Sequence, residues 1–304
     1  MKIVNIGSLN LDMVYHVDHV SQPGETLPSS SVEEHLGGKG LNQSIACAKA
    51  GACVYHAGKI GSDGLVLKEE LNKWGVNTEY LGQVMDTKNG HAIIQVDKNG
   101  QNAILLFAGS NFRITEADID ETLAAFEAGD ILLLQNETSC VPYMIRKAHE
   151  KGMQVVLNPS PMSPELAAMD EMKYVDWFIL NEIEGNQISG ETEAEKICDS
   201  ILAKYPHAHV MLTLGGNGCM FKDKDRVARH NIYKVDVVDT TAAGDTFTGF
   251  FLAGVVKGLP IEKVLELASK ASAIAVGRPG ASPSIPTLEE VELLSLWRKN
   301  NIDR

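Results

Sequence analysis

Ile131-Leu132-Leu133-Leu134-Gln135-Asn136-Glu137 is the stretch on which the reading of this chain turns: an unbroken apolar run followed at once by polar residues. A strand with one face in water alternates apolar and polar side chains, whereas a continuous apolar run needs cover on both faces. Such strands belong in a parallel sheet held between two layers of helices. The same form recurs at Val155-Val156-Leu157 before Asn158-Pro159, at Trp177-Phe178-Ile179-Leu180 before Asn181-Glu182, and at Val210-Met211-Leu212-Thr213-Leu214 before Gly215-Gly216. From about Thr115 onward, amphipathic helical segments alternate with these strands. The fold class is therefore α/β with a mostly parallel central sheet. Ligands of open α/β sheets bind at the carboxyl ends of the strands, so the four polar termini are expected to face one cleft.

Working outward, Met13-Val14-Tyr15-His16-Val17-Asp18 alternates in the manner of an exposed strand and leads to the turn Gln22-Pro23-Gly24-Glu25. His91 to Val96 and Asn102 to Phe107 flank Asp97-Lys98-Asn99-Gly100-Gln101 as a hairpin with an Asn-Gly turn. These pieces predict a small sheet standing apart from the main body. No linker or repeat divides the chain, so residues 1–304 read as one domain, with insertions at about 12–36 and 90–108. The last third predicts helices over 244–257, 261–276 and 287–299.

Of 304 residues 44% are hydrophobic, enough for a large core. The 27 Lys and Arg against 40 Asp and Glu leave a formal charge of −13, which argues against nucleic acid or an anionic membrane as partner. Cys47, Cys53, Cys140, Cys198 and Cys219 are scattered, odd in number and without CxxC spacing, so neither a disulfide framework nor a zinc site is expected. A reduced, cytoplasmic setting follows. No apolar stretch of about 18 residues is present, and secretion and membrane spanning are both disfavoured.

Chemistry concentrates in two glycine-containing segments. Val238-Asp239-Thr240-Thr241-Ala242-Ala243-Gly244-Asp245 opens a small-residue helix, placing the carboxylate of Asp245 beside backbone N–H groups suited to an anion. A base next to an anion cradle fits phosphoryl transfer to an alcohol; the alternative is an Asp capping an ordinary core helix. Leu36-Gly37-Gly38-Lys39-Gly40-Leu41-Asn42-Gln43 precedes a helix predicted over Ser44–Ala50, and Lys39 and Asn42 offer donors to substrate hydroxyls. Gly40 stands where a Walker A loop needs Ser or Thr, and no GxGxxG occurs, which weakens a nicotinamide-dependent oxidoreductase. The alternative here is a tight turn without a ligand.

Together the two segments resemble the N- and C-terminal signatures of the ribokinase-like (PfkB) carbohydrate kinases. The resemblance spans essentially the whole chain, since Gly7-Ser8-Leu9-Asn10-Leu11-Asp12, Ala108-Gly109-Ser110-Asn111, Gln135-Asn136-Glu137, Asn158-Pro159, Asn181-Glu182-Ile183-Glu184 and Thr213-Leu214-Gly215-Gly216-Asn217-Gly218 also match. It implies a three-layer α/β/α fold with a small β-sheet lid. It implies that Asp245 is the catalytic base and that Ala242, Ala243 and Gly244 form the anion hole. The usual Gly-Ala-Gly is Ala-Ala-Gly here, and since helical φ/ψ is open to Ala, the turn is expected to stay intact.

By the same resemblance Asp12, Gly38, Lys39, Asn42 and Glu137 contact the sugar. Asn181, Glu184, Thr213, Gly215, Gly216, Gly218 and Gly244 hold ATP, with Mg²⁺ approached through water. Asp239, Thr241, Ala275, Arg278, Gly280 and Ser284 match a K⁺ site, with Arg278-Pro279 a local difference in that loop. The implied activity is an ATP-dependent sugar kinase, acting on the 5-hydroxyl of D-ribose and working as a homodimer through the lid. Deoxyribose, a ketohexose or a nucleoside remains open as the acceptor, as does a sensor that binds nucleotide or sugar without turnover. An intact Asp245 turn distinguishes an enzyme from that sensor.

Overall fold

The computed structural model describes residues 1–293. Its strands are β1 (Ile3–Ile6), β2 (Asn10–Val17), β3 (Ser31–Gly37), β4 (Val54–Ile60), β5 (Leu81–Gln83), β6 (Gly90–Asp97) and β7 (Asn102–Phe107). They continue as β8 (Ile131–Leu134), β9 (Gln154–Leu157), β10 (Trp177–Asn181), β11 (His209–Thr213), β12 (Cys219–Lys222) and β13 (Val227–His230). The helices are α1 (Lys39–Lys49), α2 (Leu65–Lys73), α3 (Glu116–Ala124), α4 (Val141–Glu150), α5 (Pro164–Ala167), α6 (Glu182–Ser189), α7 (Ala194–Lys204), α8 (Ala243–Val256) and α9 (Ile261–Val276). Residues 288–293 are helical, and the rest of the helix predicted over 287–299 lies outside the described residues.

Successive side chains of the apolar strands part to opposite sides, as the pleat requires. Ile131 and Leu133 enter one core, while Leu132 and Leu134 enter the other; Trp177 and Ile179 divide from Phe178 and Leu180 in the same way. The first core is shared with α1, α2, α8 and α9, and the second with α3 to α7. Three layers result because an apolar run buried on both faces leaves no alternative. Leu133 is wholly buried, and truncating such a residue to Ala costs about 2–5 kcal/mol.

The central sheet has nine strands in the order β13-β12-β11-β10-β9-β8-β1-β4-β5. Neighbours from β11 to β5 pair parallel, and β12 and β13 close one edge antiparallel. The hairpin from β11 into β12 puts the Gly215–Gly218 turn at a carboxyl end of the parallel set.

A second sheet of four strands, β3-β2-β6-β7, is made from the two expected segments. Asp12 on β2 pairs with His35 of β3 and Ala92 of β6. Every residue of β7 is exposed, including Ile104, Leu105, Leu106 and Phe107.

Candidate active site

Two helix starts build the centre. After β3 the chain turns at Gly38, whose φ of 95° lies in the left-handed region and whose Cβ position would fall 2.7 Å from the Ser8 carbonyl oxygen. The helix then begins at Lys39, not at Ser44 as expected. A glycine-rich run reads as a turn, yet Gly40 serves a different need: a Cβ there would come within 2.5 Å of the Gly7 carbonyl carbon, so α1 lies directly against the end of β1. Lys39, Asn42 and Gln43 therefore occupy positions i, i+3 and i+4 of a first helical turn and share one face.

The second start is α8, with Asp245 in its first turn. Ala242, ahead of it, has φ 58° and ψ 10°, which corrects the expectation of right-handed helical geometry. The left-handed region costs a residue with a Cβ about 1–2 kcal/mol, and the cost is borne at the turn that aims the first amides of α8. Ala243 is held from both sides: its N–H donates to the Thr240 carbonyl at 3.2 Å, and its carbonyl accepts from Ser272 Oγ at 3.1 Å.

The two starts meet at one carboxylate. Asn42 Nδ2 donates to Asp245 Oδ2 at 3.0 Å, and Gln43 Nε2 donates to Oδ1 at 2.8 Å. Burial raises the Asp245 pKa to about 6, against the lowering effect of these two amides and of the Lys39 charge. Lys39 Nζ lies 2.5 Å from Glu137 Oε1, and Ser8 Oγ donates to Glu137 Oε2 at 2.5 Å. Burial alone would lower the Lys39 pKa, but the Glu137 carboxylate leaves it raised. Asp12 is pushed up to about 6 by burial and then by the Glu137 charge. Among the described residues, Asp12 Oδ1 and Asn42 Oδ1 are buried without a partner, so the site holds acceptors ready for hydroxyl groups.

A cavity of about 210 Å³ joins Lys39, Asn158, Asn181, Glu184, Thr213, Ala242, Gly244 and Asp245. Asn181 and Glu184 form a capping box on α6, Asn181 Oδ1 accepting from the Glu184 amide at 2.9 Å and Glu184 Oε2 from the Asn181 amide at 3.0 Å. Glu184 is only 5% exposed, so its charge belongs to the cavity and not to solvent. A second cavity of about 370 Å³ lies beyond, between Gly215, Gly216, Gly218, Gly244, Ile232, Tyr233, Val235, Val237, Phe247, Ala273 and Val276. A polar pocket that includes Asp245 and an apolar chamber thus share Thr213 and Gly244 in their walls, at the head of α8.

The sequence pattern of the pfkB family carbohydrate kinases matches residues 1–288. The chain belongs to the pfkB family. This pfkB family chain is 33% identical over 293 residues to a ribokinase of Haemophilus influenzae, covering 94% of this chain and 95% of that one. Its structure superposes with TM-score 0.85 on a ribokinase from Cryptococcus neoformans solved with ADP, at 32% identity and with 96% and 99% of the two chains covered. It superposes with TM-score 0.87 on Arabidopsis thaliana ribokinase complexed with ribose and ATP, at 29% identity and 96% and 98% coverage.

Of the residues expected at a K⁺ site, hydrogen bonds bring Asp239, Thr241 and Gly280 together. Asp239 Oδ1 accepts from the amide and hydroxyl of Thr241 at 2.8 and 2.6 Å, and Oδ2 accepts from the Gly280 amide at 2.9 Å. Burial raises the Asp239 pKa, but these hydrogen bonds outweigh it and keep the carboxyl below its ordinary value. Arg278 turns its guanidinium outward to Glu290 at 2.7 Å, so only its backbone faces the loop. Ser284 Oγ donates to the Ala281 carbonyl at 2.7 Å, and the Ala275 carbonyl accepts from the Arg278 amide at 3.0 Å.

Sequence reasoning missed most of the apolar chamber. Ile232, Tyr233, Val235 and Val237 lie in a stretch without strand or helix, where no period marks a burial face. Their one signal was an apolar run left uncovered, with Val237 68% exposed. Ser160 and Thr248, which line the smaller cavity, carried no signal.

Proposed function

We propose that this pfkB family kinase transfers the γ-phosphoryl group of ATP to the 5-hydroxyl of D-ribose. The observation that carries the reading is Asp245, held by Asn42 and Gln43 at the mouth between a polar pocket and an apolar chamber. Sugar hydroxyls are met by Asp12, Lys39, Asn42 and Glu137 and by the Gly38 turn, while the nucleobase fills the chamber and Thr213, Gly215, Gly216 and Gly218 line the path of the phosphates. The acceptor hydroxyl loses its proton to Asp245 as its oxygen bonds to the γ-phosphorus; the bond to the β–γ bridging oxygen breaks, and ADP leaves. Charge on the moving group is met by the amides of Ala242 and Gly244 and by the Lys39 ammonium, the Ala243 amide being given instead to the Thr240 carbonyl, which corrects its expected place in the anion hole.

Mg²⁺ fits beside Asn181 and Glu184, where the capping box occupies Glu184 Oε2 and the buried carboxylate supplies negative charge to a hydrated ion. When bound, it neutralises phosphate charge. K⁺ fits the Asp239 loop because one ionised carboxylate and the carbonyls of Thr241, Ala275, Arg278 and Gly280, with Ser284, suit a large, weakly hydrated cation. Its role is to hold the Ala242–Gly244 turn.

The chain acts as one unit, with the four-stranded sheet as a lid over the sugar, built from residues 12–36 and 90–108. The bare apolar strand β7 supports a homodimer in which two lids cover each other. Leu105→Lys should convert dimer to monomer in light scattering; an unchanged mass removes the lid interface. The five cysteines are free, which supports the reducing cytoplasm as the working compartment. Among the described residues no helix is long and apolar enough to cross a membrane.

The reading is tested by following ADP release with Mg-ATP and a panel of ribose, deoxyribose, ketohexoses and nucleosides, in K⁺ and in Na⁺. Ribose should turn over fastest, and faster in K⁺. A different preferred acceptor reassigns the substrate, no turnover with any acceptor leaves a sensor, and equal rates in the two salts remove the cation site.

A further inference from the structure

Behind Asp245, on the far side from the cavity, lies a run of buried amides: Gln43, Gln135 and Asn5, all at most 1% exposed, with Ser44 and His56 at its end. An amide reverses its hydrogen-bonding sense when it flips, so its orientation depends on fixed neighbours. Backbone carbonyls provide these at both ends. Asn5 Nδ2 donates to the Gly40 carbonyl and to Ser44 Oγ, both at 2.9 Å, which turns Asn5 Oδ1 toward Gln135. Gln135 Nε2 then donates to Asn5 Oδ1 at 3.1 Å and to Gln43 Oε1 at 2.7 Å. Gln43 is left with Nε2 facing Asp245 Oδ1 and Asn158 Oδ1, each at 2.8 Å. Asn158 is itself set by donating to the Ile179 carbonyl at 2.9 Å.

We propose that Gln43 and Gln135 are positioning residues, part of a chain of amides fixed in sense, Gln135 donating to Asn5 on one side and to Gln43 on the other, that holds the Asp245 carboxylate with a lone pair toward the acceptor hydroxyl. Gln135 touches neither the base nor the cavity and acts only through Gln43. The chain begins at a neutral group: Ser44 Oγ lies 2.8 Å from His56 Nδ1, and burial lowers the His56 pKa to about 4. Having accepted from Asn5, the Ser44 hydroxyl has its proton free to donate to that ring nitrogen. Gly7 makes room for the chain, because a Cβ there would fall 2.2 Å from Gln135 Oε1. A carboxylate so held keeps one oxygen against Gln43 and the other against Asn42, and cannot rotate without breaking both bonds.

The charged groups sharing the base's surroundings are Lys39 on α1, Glu137 after β8 and Glu184 on α6, with Asp12 on β2 next to Glu137. Substitutions along the amide chain leave all of them in place, so a change in the titration of Asp245 reports the chain itself.

This inference rests on Asp245 being the base, and its test uses a readout that does not need turnover. The carbon-13 carboxyl resonance of Asp245, assigned with Asp245→Asn, is titrated in the wild-type protein, in Gln135→Met and in Ser44→Ala. Loosening Gln43 weakens a charge-assisted bond to the ionised form, so the Gln135→Met midpoint should move up by roughly 0.5–1 pH unit. Ser44→Ala, two links further back and with no bulk to accommodate, should move it less in the same direction. The acid limb of the kcat profile should follow, with the KM for ATP unchanged. Unmoved midpoints in the folded variants overturn the proposal. Wild-type protein that titrates as expected yet phosphorylates nothing overturns the proposed function instead.

Discussion

The two halves of the cleft bind by different physics. Around Asp245 almost every polar atom is oriented by another: Lys39 by Glu137, Glu137 by Ser8, Asp245 by Asn42 and Gln43. Around Ile232, Tyr233, Phe247 and Ala273 the walls are apolar, and the chamber selects by shape and by water excluded. A site that hydrogen-bonds hydroxyls discriminates steeply, because an analogue lacking one leaves a buried group unpaired. An apolar pocket distinguishes its ligands by only a few kcal/mol. On the proposed function, acceptor choice and proton transfer fall to the half with fixed polarity, and grip on the nucleotide to the half without it.

The sharpest way to break this division is Asp245→Asn. Removing the proton acceptor while keeping its shape should lower kcat on the order of 10³–10⁴-fold. Ribose affinity by calorimetry should remain within a few-fold. The acid limb expected of the wild type near pH 6, where burial has raised the carboxyl so that it takes up a proton and turnover falls as pH drops, should vanish from the residual rate. Unchanged turnover would move the base elsewhere. A smaller effect is expected at the other end. Ala273→Leu puts extra methyl groups into the chamber from a residue only 8% exposed, and should raise the KM for ATP about tenfold while leaving ribose binding intact. A rise in the ribose KM of the same size would show that the halves are not separate.

Much of the fold was legible in the sequence because burial on both faces leaves a mark one residue long: Leu132 and Leu133 both had to be apolar, and both are buried on opposite sides. The polar strand ends were legible for the same reason, since Gln135, Asn158 and Asn181 interrupt otherwise apolar runs. The start of α1 was misread because glycine signals conformational freedom and close approach with the same letter. Gly38 uses the first and Gly40 the second. The Ala242 turn was misread because an alanine carries no local sign of a left-handed backbone; the Ser272 hydrogen bond that holds its neighbour comes from α9, 29 residues away.

Periodicity and motif spacing, which are properties of neighbouring residues, determined the three layers, the small second sheet and the identity of the central carboxylate. Tertiary structure alone decided that Gln43 and Gln135 back that carboxylate and that a stretch without regular structure walls the larger chamber. Those facts depend on contacts between residues far apart in the chain, such as Asn42 with Asp245 and Gln43 with Gln135. Local sequence has no way to encode them, because the direction of an amide and the covering of an apolar wall are set only when distant segments close on each other.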